Sequence, residues 1–522
     1  MKTSFIEEQV INTYPKIIQD HLKEQKLDEQ AWKDQIFKKS GNFSLDQRTQ
    51  LNLSLEEQYE GFDINTELRD NINILKDPNT FTITTGHQLC LFTGPVYVII
   101  KVLQTIKTCY ELESLFSGCS FVPVFWLASE DHDFEEISKT NLFNNQIDWD
   151  YDNSESAVGE IISNELKPVI KRWLEITGGE NKAHSFNNKL ENALNQSNDL
   201  SGFYRHLFNS LFGKYGLVVF DANNKISKRS FSSILKEELS TGFLKTSVEK
   251  TIEEFKSGHK VQVNPRSCNL FYFKNKKRIR LERENDKLHL VEPQNKTSFN
   301  WEKEIESSSH LFSPNVLLRP LYQEYLLPNL AYIGGTSEVA YWLELKHAFK
   351  KTDISFPKLI VRNSVFFMNK RTEKILNVEL GYDFKDILRP LEELKKEIVL
   401  LADEGSYDIE RIKINIQKDL EKVLALISTS DEGVKRSFNA DFKTVENVLD
   451  KMQKKLIRYQ KKIHSDKINL VNKQYDYFFP GGKWQERVYN FNHFQFNSEN
   501  NLIDKLLSEI KAFRNGALLI NL

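Results

Sequence analysis

Two apolar runs of this chain end abruptly in residues able to do chemistry. They are Phe81-Thr-Ile-Thr-Thr-Gly-His-Gln88 and Phe121-Val-Pro-Val-Phe-Trp-Leu-Ala-Ser-Glu-Asp-His-Asp-Phe-Glu-Glu136. A parallel strand covered on both faces reads as a continuous hydrophobic run, and ligands of open α/β sheets sit beyond the carboxyl ends of such strands. If the two strands are neighbours, His87, Gln88, Glu130, Asp131, His132 and Asp133 face one crevice. The second run places five carboxylates and a histidine between Ser129 and Glu136. Like charge at that density needs a cation, a substrate amine or a basic neighbour to offset it; it also suits an acidic first helical turn.

Thr85, Gly86, His87 and Gln88, with Thr93-Gly94-Pro95, form a loop leading into a helix N-terminus. By geometry and dipole such a loop cradles anions, and His87 and Gln88 could contact a phosphate; the same residues also make an ordinary strand-to-helix turn. A third cluster is carried by Phe312-Ser-Pro-Asn-Val-Leu-Leu-Arg-Pro320 and Leu330-Ala-Tyr-Ile-Gly-Gly-Thr-Ser-Glu338. Arg319 can grip a carboxylate bidentately or bond loop carbonyls. The Gly334-Gly335 turn, flanked by Tyr332 and Glu338, opens a helix capped by Thr336 or Ser337. Asp221, after Leu217-Val-Val-Phe, suits a ribose or amine ligand and equally a helix cap. No G-x-S-x-G elbow and no P-loop occur, and Lys225-Ile-Ser-Lys-Arg229 reads as a helix start.

The elements that must position these residues follow from periodicity. A strand at 81–85, a helix opened by Pro95 with Val96, Ile99, Ile100, Leu103, Ile106 and Leu112 on one face, and a strand at 121–128 make a βαβ unit, whose crossover is right-handed. A helix ending at Gly213 or Gly216 leads to a strand at Leu217–Asp221, and Val316-Leu-Leu-Arg-Pro320, Leu330–Gly335 and Pro357-Lys-Leu-Ile-Val-Arg362 read as further strands. Past residue 385, Ile387, Leu391, Leu394, Ile398 and Leu401 recur at 4,3 spacing, as do Phe438, Phe442, Val445, Leu449, Met452, Leu456, Tyr459 and Ile463. That is a heptad seam. Breaks at Asp403–Ser406 and Ser428–Asp431, flanking a helix at Ile409–Ile427, allow the helices to fold back.

The expected fold is α/β: a Rossmann-type parallel core with two insertions and a C-terminal α-helical antiparallel coiled coil. Along the chain this gives a helical lead-in at 1–80, core at 81–144, 201–245 and 311–385, and insertions at 145–200 and 246–310, the second a small antiparallel sheet. A coiled coil at 386–475 and a C-terminal segment at 476–522 complete it.

At 522 residues the chain exceeds a single hydrophobic core. With 71 basic against 73 acidic residues, it lacks the footprint of a general nucleic-acid binder. Four cysteines without C-x-x-C pairing point to reduced thiols of a cytoplasmic protein, and no zinc-ligand spacing, signal peptide or membrane-length apolar run appears.

Thr85-Gly-His-Gln with Leu91-Phe-Thr-Gly-Pro-Val-Tyr97, Pro123–Glu136, Phe312–Pro320, Ala331–Gly335 with Glu338-Val-Ala-Tyr-Trp342, and Gln485-Glu-Arg-Val-Tyr-Asn490 together resemble the BshC family, the cysteine-adding enzymes of bacillithiol biosynthesis. The family more usually has Gln at position 87. The resemblance implies a core related to class I nucleotidyl transferases such as cysteinyl-tRNA synthetases, and a homodimer formed through the coiled coil. It also implies attachment of cysteine, through its carboxyl, to the glucosamine amine of glucosaminyl-malate, with ATP activating the carboxyl as an adenylate. On that expectation the Gly86–Gly94 loop cradles phosphates and Glu130, Asp131 and Asp133 hold an amine or metal-nucleotide. A histidine, His87 or His132, accepts the amine proton, Asp133 belongs with them to the catalytic set, and Arg319 meets a malate carboxylate. The rival expectations are a class I-like ligase or nucleotidyl transferase for another amino acid, and a coiled-coil scaffold with a degenerate core.

Overall fold

The structure is a computed structural model that describes residues 3–143, 145–152, 156–178, 183–285, 287–292, 295–401, 409–426, 432–498 and 501–522. It divides into two units, residues 1–367 with 485–522 and residues 368–484.

The apolar runs become the central strands of the first unit. Thr80–His87, Ser120–Leu127, Val218–Asp221, Asn329–Gly334 and Lys358–Val361 form one parallel sheet, in the spatial order 358–361, 329–334, 80–87, 120–127, 218–221. Nearly every residue of these strands is buried, as two-sided cover by helices requires. The helix Val96–Leu115 follows Pro95 as the sequence predicts and packs on the 80–87 and 120–127 strands. Registration sets His87 opposite Leu127 and Leu127 opposite Asp221. Chain order along the sheet reverses at the 80–87 strand, which lies between 120–127 and 329–334. This is the doubly wound arrangement, whose crevice opens at the reversal.

Three elements differ from the sequence reading. Val316-Leu-Leu-Arg-Pro320 is not a strand; the strand is Phe312–Pro314, antiparallel to the inserted sheet, and Arg319 begins a helix, Arg319–Leu326. Asn315 Oδ1 accepts from the Leu317 and Leu318 amides at 3.0 Å each, and Pro320 in the first turn favours helix over strand. Within the lead-in, Thr3–Ile6 is a strand, paired with Ala517–Asn521 at the far end of the chain in a sheet completed by Ser364–Met368. A hairpin, Lys139–Leu142 with Asn145–Asp148, precedes the helices of the first insertion. The second insertion holds the expected antiparallel sheet, Leu270–Lys274, Lys277–Glu284, Lys287–Glu292 and Asn295–Ser298.

The second unit is helical, with Leu391–Leu401, Ile409–Leu426, Glu432–Ile463 and Ser465–Phe478 as its main members. Ile387, Leu394 and Ile398 are buried, and the 391–401 helix packs on 465–478. The 409–426 helix packs on 432–463, with Lys413 paired to Asp450. The breaks read at Asp403–Ser406 and Ser428–Asp431 lie outside the described residues. Among the described residues no helix is long and apolar enough to cross a membrane.

Candidate active site

A cavity of about 1120 Å³ opens at the carboxyl ends of the strands where the order reverses. It exceeds the usual range for one small ligand, which leaves room for two. Gly86, His87, Gln88, Glu130, Asp131, His132, Asp133, Arg319, Tyr332, Gly335 and Glu338 all reach its wall, so the two apolar runs do aim at one crevice. Gly86 permits the approach, since a Cβ there would stand 2.9 Å from the Trp126 carbonyl.

His87 ends the first strand and its ring is held at both nitrogens. The Gln88 carbonyl, 3.2 Å from Nδ1, can only accept, so Nδ1 carries the proton. Nε2 then accepts from the Tyr97 hydroxyl at 2.7 Å. Burial, followed by the charge of Lys101, brings this imidazole down to about 4, so it is neutral at pH 7. Gln88 Nε2 donates to Asp131 Oδ2 at 3.0 Å and to Glu136 Oε2 at 2.8 Å, tying one strand end to the next.

The acidic stretch is offset by basic neighbours. Asp131 meets Arg278 at 3.0 Å and accepts the His132 amide at 2.7 Å. Burial raises its carboxyl, but the His132 hydrogen bonds and the Arg278 charge outweigh this and set it at about 2. Glu130 pairs with the buried Lys228 at 3.1 Å; Lys228 lies in the Lys225–Ser230 helix that the sequence predicts there. Asp133 caps the short Phe134–Ile137 helix. Glu136 is raised by burial and then by Asp133 and Asp131.

On the opposite wall, Glu338 reaches back to the Gly335 amide (2.7 Å), accepts the Tyr332 hydroxyl (2.8 Å) and pairs with Lys101 (2.8 Å). Lys101, fully buried in the middle of the 96–115 helix, also donates to the Gly86 carbonyl. Arg319 donates to Gln323 Oε1 (3.1 Å) and the Tyr341 hydroxyl (2.7 Å), with Tyr332 and Trp342 rings beneath it. Among the described residues no carboxylate stands within ion-pair distance of Arg319 or Arg487, and both line the cavity.

Five predicted residues lie elsewhere. Thr85 is buried, bonding the Ile333 carbonyl. Thr93 and Gly94 are buried behind the crevice, and Gly334 sits under the Tyr332 ring. Asp221 is occupied by Ser129, Ser201 and the Asn223 amide. Nor is the start of the 96–115 helix open to an anion as the loop reading expects: the Val96 amide donates to the Tyr489 carbonyl at 3.0 Å, and Asn490 bonds the Phe92 carbonyl.

Sequence reasoning missed Lys101, Tyr97, Arg278, Arg362 and Arg487. Lys101 was legible in principle as a lone cation inside an apolar helical stripe; the others needed the fold. Arg362 and Glu486 form a buried pair at 2.7 Å that fixes the Gln485–Asn490 motif beside the crevice, and the Arg362 guanidinium lies 5.1 Å above the Tyr97 ring. Among the described residues no group of three His, Cys, Asp or Glu side chains is arranged to hold a metal ion.

Comparison with known proteins agrees with this architecture. Residues 3–363 match the family described as bacillithiol biosynthesis BshC, N-terminal Rossmann-like domain, and residues 365–522 the corresponding C-terminal coiled-coil domain. A protein of Flavobacterium johnsoniae named "Putative cysteine ligase BshC" is 35% identical over 526 residues, covering 98% of each chain. Proteins of the same name from Christiangramia forsetii and Bacillus cytotoxicus are 33% and 27% identical, covering 98% and 80% of this chain and 97% and 80% of theirs. By sequence along its whole length and by fold, the chain belongs to the BshC family of bacillithiol biosynthesis enzymes.

Proposed function

We propose that this enzyme joins cysteine, through its carboxyl, to the amine of glucosaminyl-malate, forming an amide. The observation that carries the reading is the crevice at the sheet's reversal point, large enough for two ligands and lined both by the carboxylates of the 130–136 segment and by Arg319 and Arg487. An aminosugar amine has acidic partners at Asp133 and Glu136, and the two carboxylates of malate need cations to enter a partly dry site. The names of the relatives supply the cysteine.

A free carboxylate does not form an amide at neutral pH, and ATP, when bound, would supply the activation. Arg266 and Arg487 also line the cavity and would hold its charge, which leaves Arg319 to a malate carboxylate. The helix ends offer less, because Tyr489 and Glu338 already take their first amides. Around the reacting groups the chain's own residues do the rest. Gln88 locks the two strand ends together, Asp131 and Arg278 set the His132 ring, and neutral His87 orients the Tyr97 hydroxyl toward the cavity. Reduced cysteines fit work in the cytoplasm.

The assembly we propose is a homodimer. On the 432–463 helix, Phe438, Val445, Met452 and Tyr459 recur every seven residues yet are 37, 40, 52 and 62% exposed. An apolar heptad stripe left in water is covered most simply by a second copy.

Purified protein given cysteine, glucosaminyl-malate and ATP is expected to yield the cysteinyl amide by mass spectrometry, and cells lacking it to accumulate glucosaminyl-malate. A deletion strain with unchanged thiol content would reject the assignment.

A further inference from the structure

Glu130 faces Lys228 at 3.1 Å, Asp131 faces Arg278 at 3.0 Å and Glu338 faces Lys101 at 2.8 Å, so these three carboxylates of the crevice are already answered. Glu136 is not. Among the described residues no cation stands within ion-pair distance of it; Oε2 accepts Gln88 Nε2 at 2.8 Å and Oε1 takes no bond. Gln88 Nε2 also donates to Asp131 Oδ2 at 3.0 Å, so this carboxamide is turned with its nitrogen toward two carboxylates. Gln88 Oε1 is then left buried without a partner among the described residues. Two acceptors on bonded side chains of the crevice wall thus have no donor. Asp133 and Glu135 line the cavity too, but Asp133 Oδ1 takes the Glu136 amide at 3.4 Å, and no hydrogen bond ties either side chain to a strand end. His87 is unsuited to take a proton, since the Gln88 carbonyl and the Tyr97 hydroxyl occupy both its nitrogens.

We propose that Glu136 is the catalytic base of amide formation: its carboxylate takes one proton from the ammonium of glucosaminyl-malate, and the amine so freed attacks the activated carboxyl carbon of cysteine. The C–N bond forms, the bond from that carbon to the activating group breaks with its electron pair leaving on that group's oxygen, and the second nitrogen proton passes to solvent. The inference rests on the ligase reading above and puts the proton on a residue outside the set the sequence points to. The surroundings suit the role. Crowding by the protein, and then the like charges of Asp133, Asp131 and Glu338, raise the Glu136 carboxyl from its ordinary value, with Lys101 acting in the other direction. Cys90 and Tyr97, whose titration feels the Glu136 charge, are themselves pushed up by burial and stay neutral. A carboxylate so raised is the stronger base toward an ammonium.

The test gives the full-length protein, with cysteine and ATP, two alternative acceptors: glucosaminyl-malate, and hydroxylamine, which is largely uncharged at neutral pH and needs no base. Glu136→Gln is expected to lower kcat for the amide by about 100–10,000-fold, the usual worth of a general base, while cysteine hydroxamate still forms at the wild-type rate. The amide rate of the variant should climb back as pH is raised, because the amine then arrives already neutral. A Glu136→Gln protein that makes the amide at the wild-type rate overturns the inference. So does one that loses amide and hydroxamate together, since Glu136 would then hold the fold or the activating step, or one whose amide rate does not recover with pH. A wild type that forms neither product rejects the ligase reading and this inference with it; a wild type that forms both while Glu136→Gln does too rejects the inference alone.

Discussion

The two units of this chain both carry exposed ion pairs along single helices, but they differ in what else they do with charge. In the Rossmann unit, cations are carried inside: Lys39 with Glu324, Lys101 with Glu338, Lys228 with Glu130 and Arg362 with Glu486, each cation no more than 4% exposed. In the helical unit, pairs such as Lys422 with Asp419, Arg436 with Glu432 and Lys443 with Glu446 sit on helix surfaces three or four residues apart, while apolar side chains of the 432–463 helix remain in water. Buried pairs join segments distant in sequence and so shape the crevice. The surface pairs just named join neighbours and shape nothing beyond their own helix, while Lys413 with Asp450 ties two helices together. Charge organises the crevice in one unit, and apolar surface stays exposed on a long helix of the other.

The largest effect is expected where a buried pair is broken. Arg362→Leu leaves Glu486 buried with, among the described residues, only the Val365 amide, at 2.8 Å, to answer it, and should cost about 3–5 kcal/mol in denaturant unfolding. A loss below 1 kcal/mol would erase the contrast between the units. Next comes the heptad seam of the 432–463 helix. Leu449→Lys combined with Leu456→Lys should convert a dimer into a monomer by light scattering, without shifting the unfolding of the Rossmann unit; equal masses for wild type and variant would show that no second copy covers the stripe.

Arg319 tests whether a guanidinium without a carboxylate partner is reserved for substrate. Arg319→Lys keeps the charge but loses the fork, and should weaken glucosaminyl-malate binding by about 1–3 kcal/mol with nucleotide affinity nearly unchanged in calorimetry. The reverse pattern would assign Arg319 to the phosphates.

A smaller effect is one of slope. His87 and His493 are both lowered by burial to about 4 from 6.5, so the unfolded chain binds protons more tightly than the folded one between those values. Their contribution is therefore intact above pH 6.5 and lost as pH falls toward 4. His87→Gln should flatten part of that decline in unfolding curves recorded at pH 5 and 7.5; an unchanged slope would mean that the His87 proton is not excluded by burial. Smallest of all, Lys443→Ala should leave the unfolding curve essentially unchanged, and a clear loss would make the helical unit resemble the Rossmann unit after all.

Much of this was legible beforehand, for a local reason. The 80–87 and 120–127 strands, the helix after Pro95 and the heptad seams announce themselves because side-chain period and turn residues act over a few positions. The same holds for His87, Gln88 and the 130–133 cluster, which follow directly on their strands. The strand Thr3–Ile6 was not legible, because its partner lies at Ala517–Asn521. The run before Arg319 misled, because Asn315 and Pro320 override an apolar pattern that suits a strand.

The sequence alone therefore determined which strands exist, that their ends carry chemistry, and that the C-terminal part forms long apolar-striped helices. Only the tertiary structure decided which polar groups are already spent. Asp221 is taken by two serines, Glu338 by Lys101, Tyr332 and its own helix end, and the start of the 96–115 helix by Tyr489. Arg278 likewise comes to His132 from an inserted sheet. A hydrogen bond is short-ranged and directional, and its partner can come from any part of the chain. The type of a residue fixes what it can donate or accept, and folding fixes whether anything is left for a substrate.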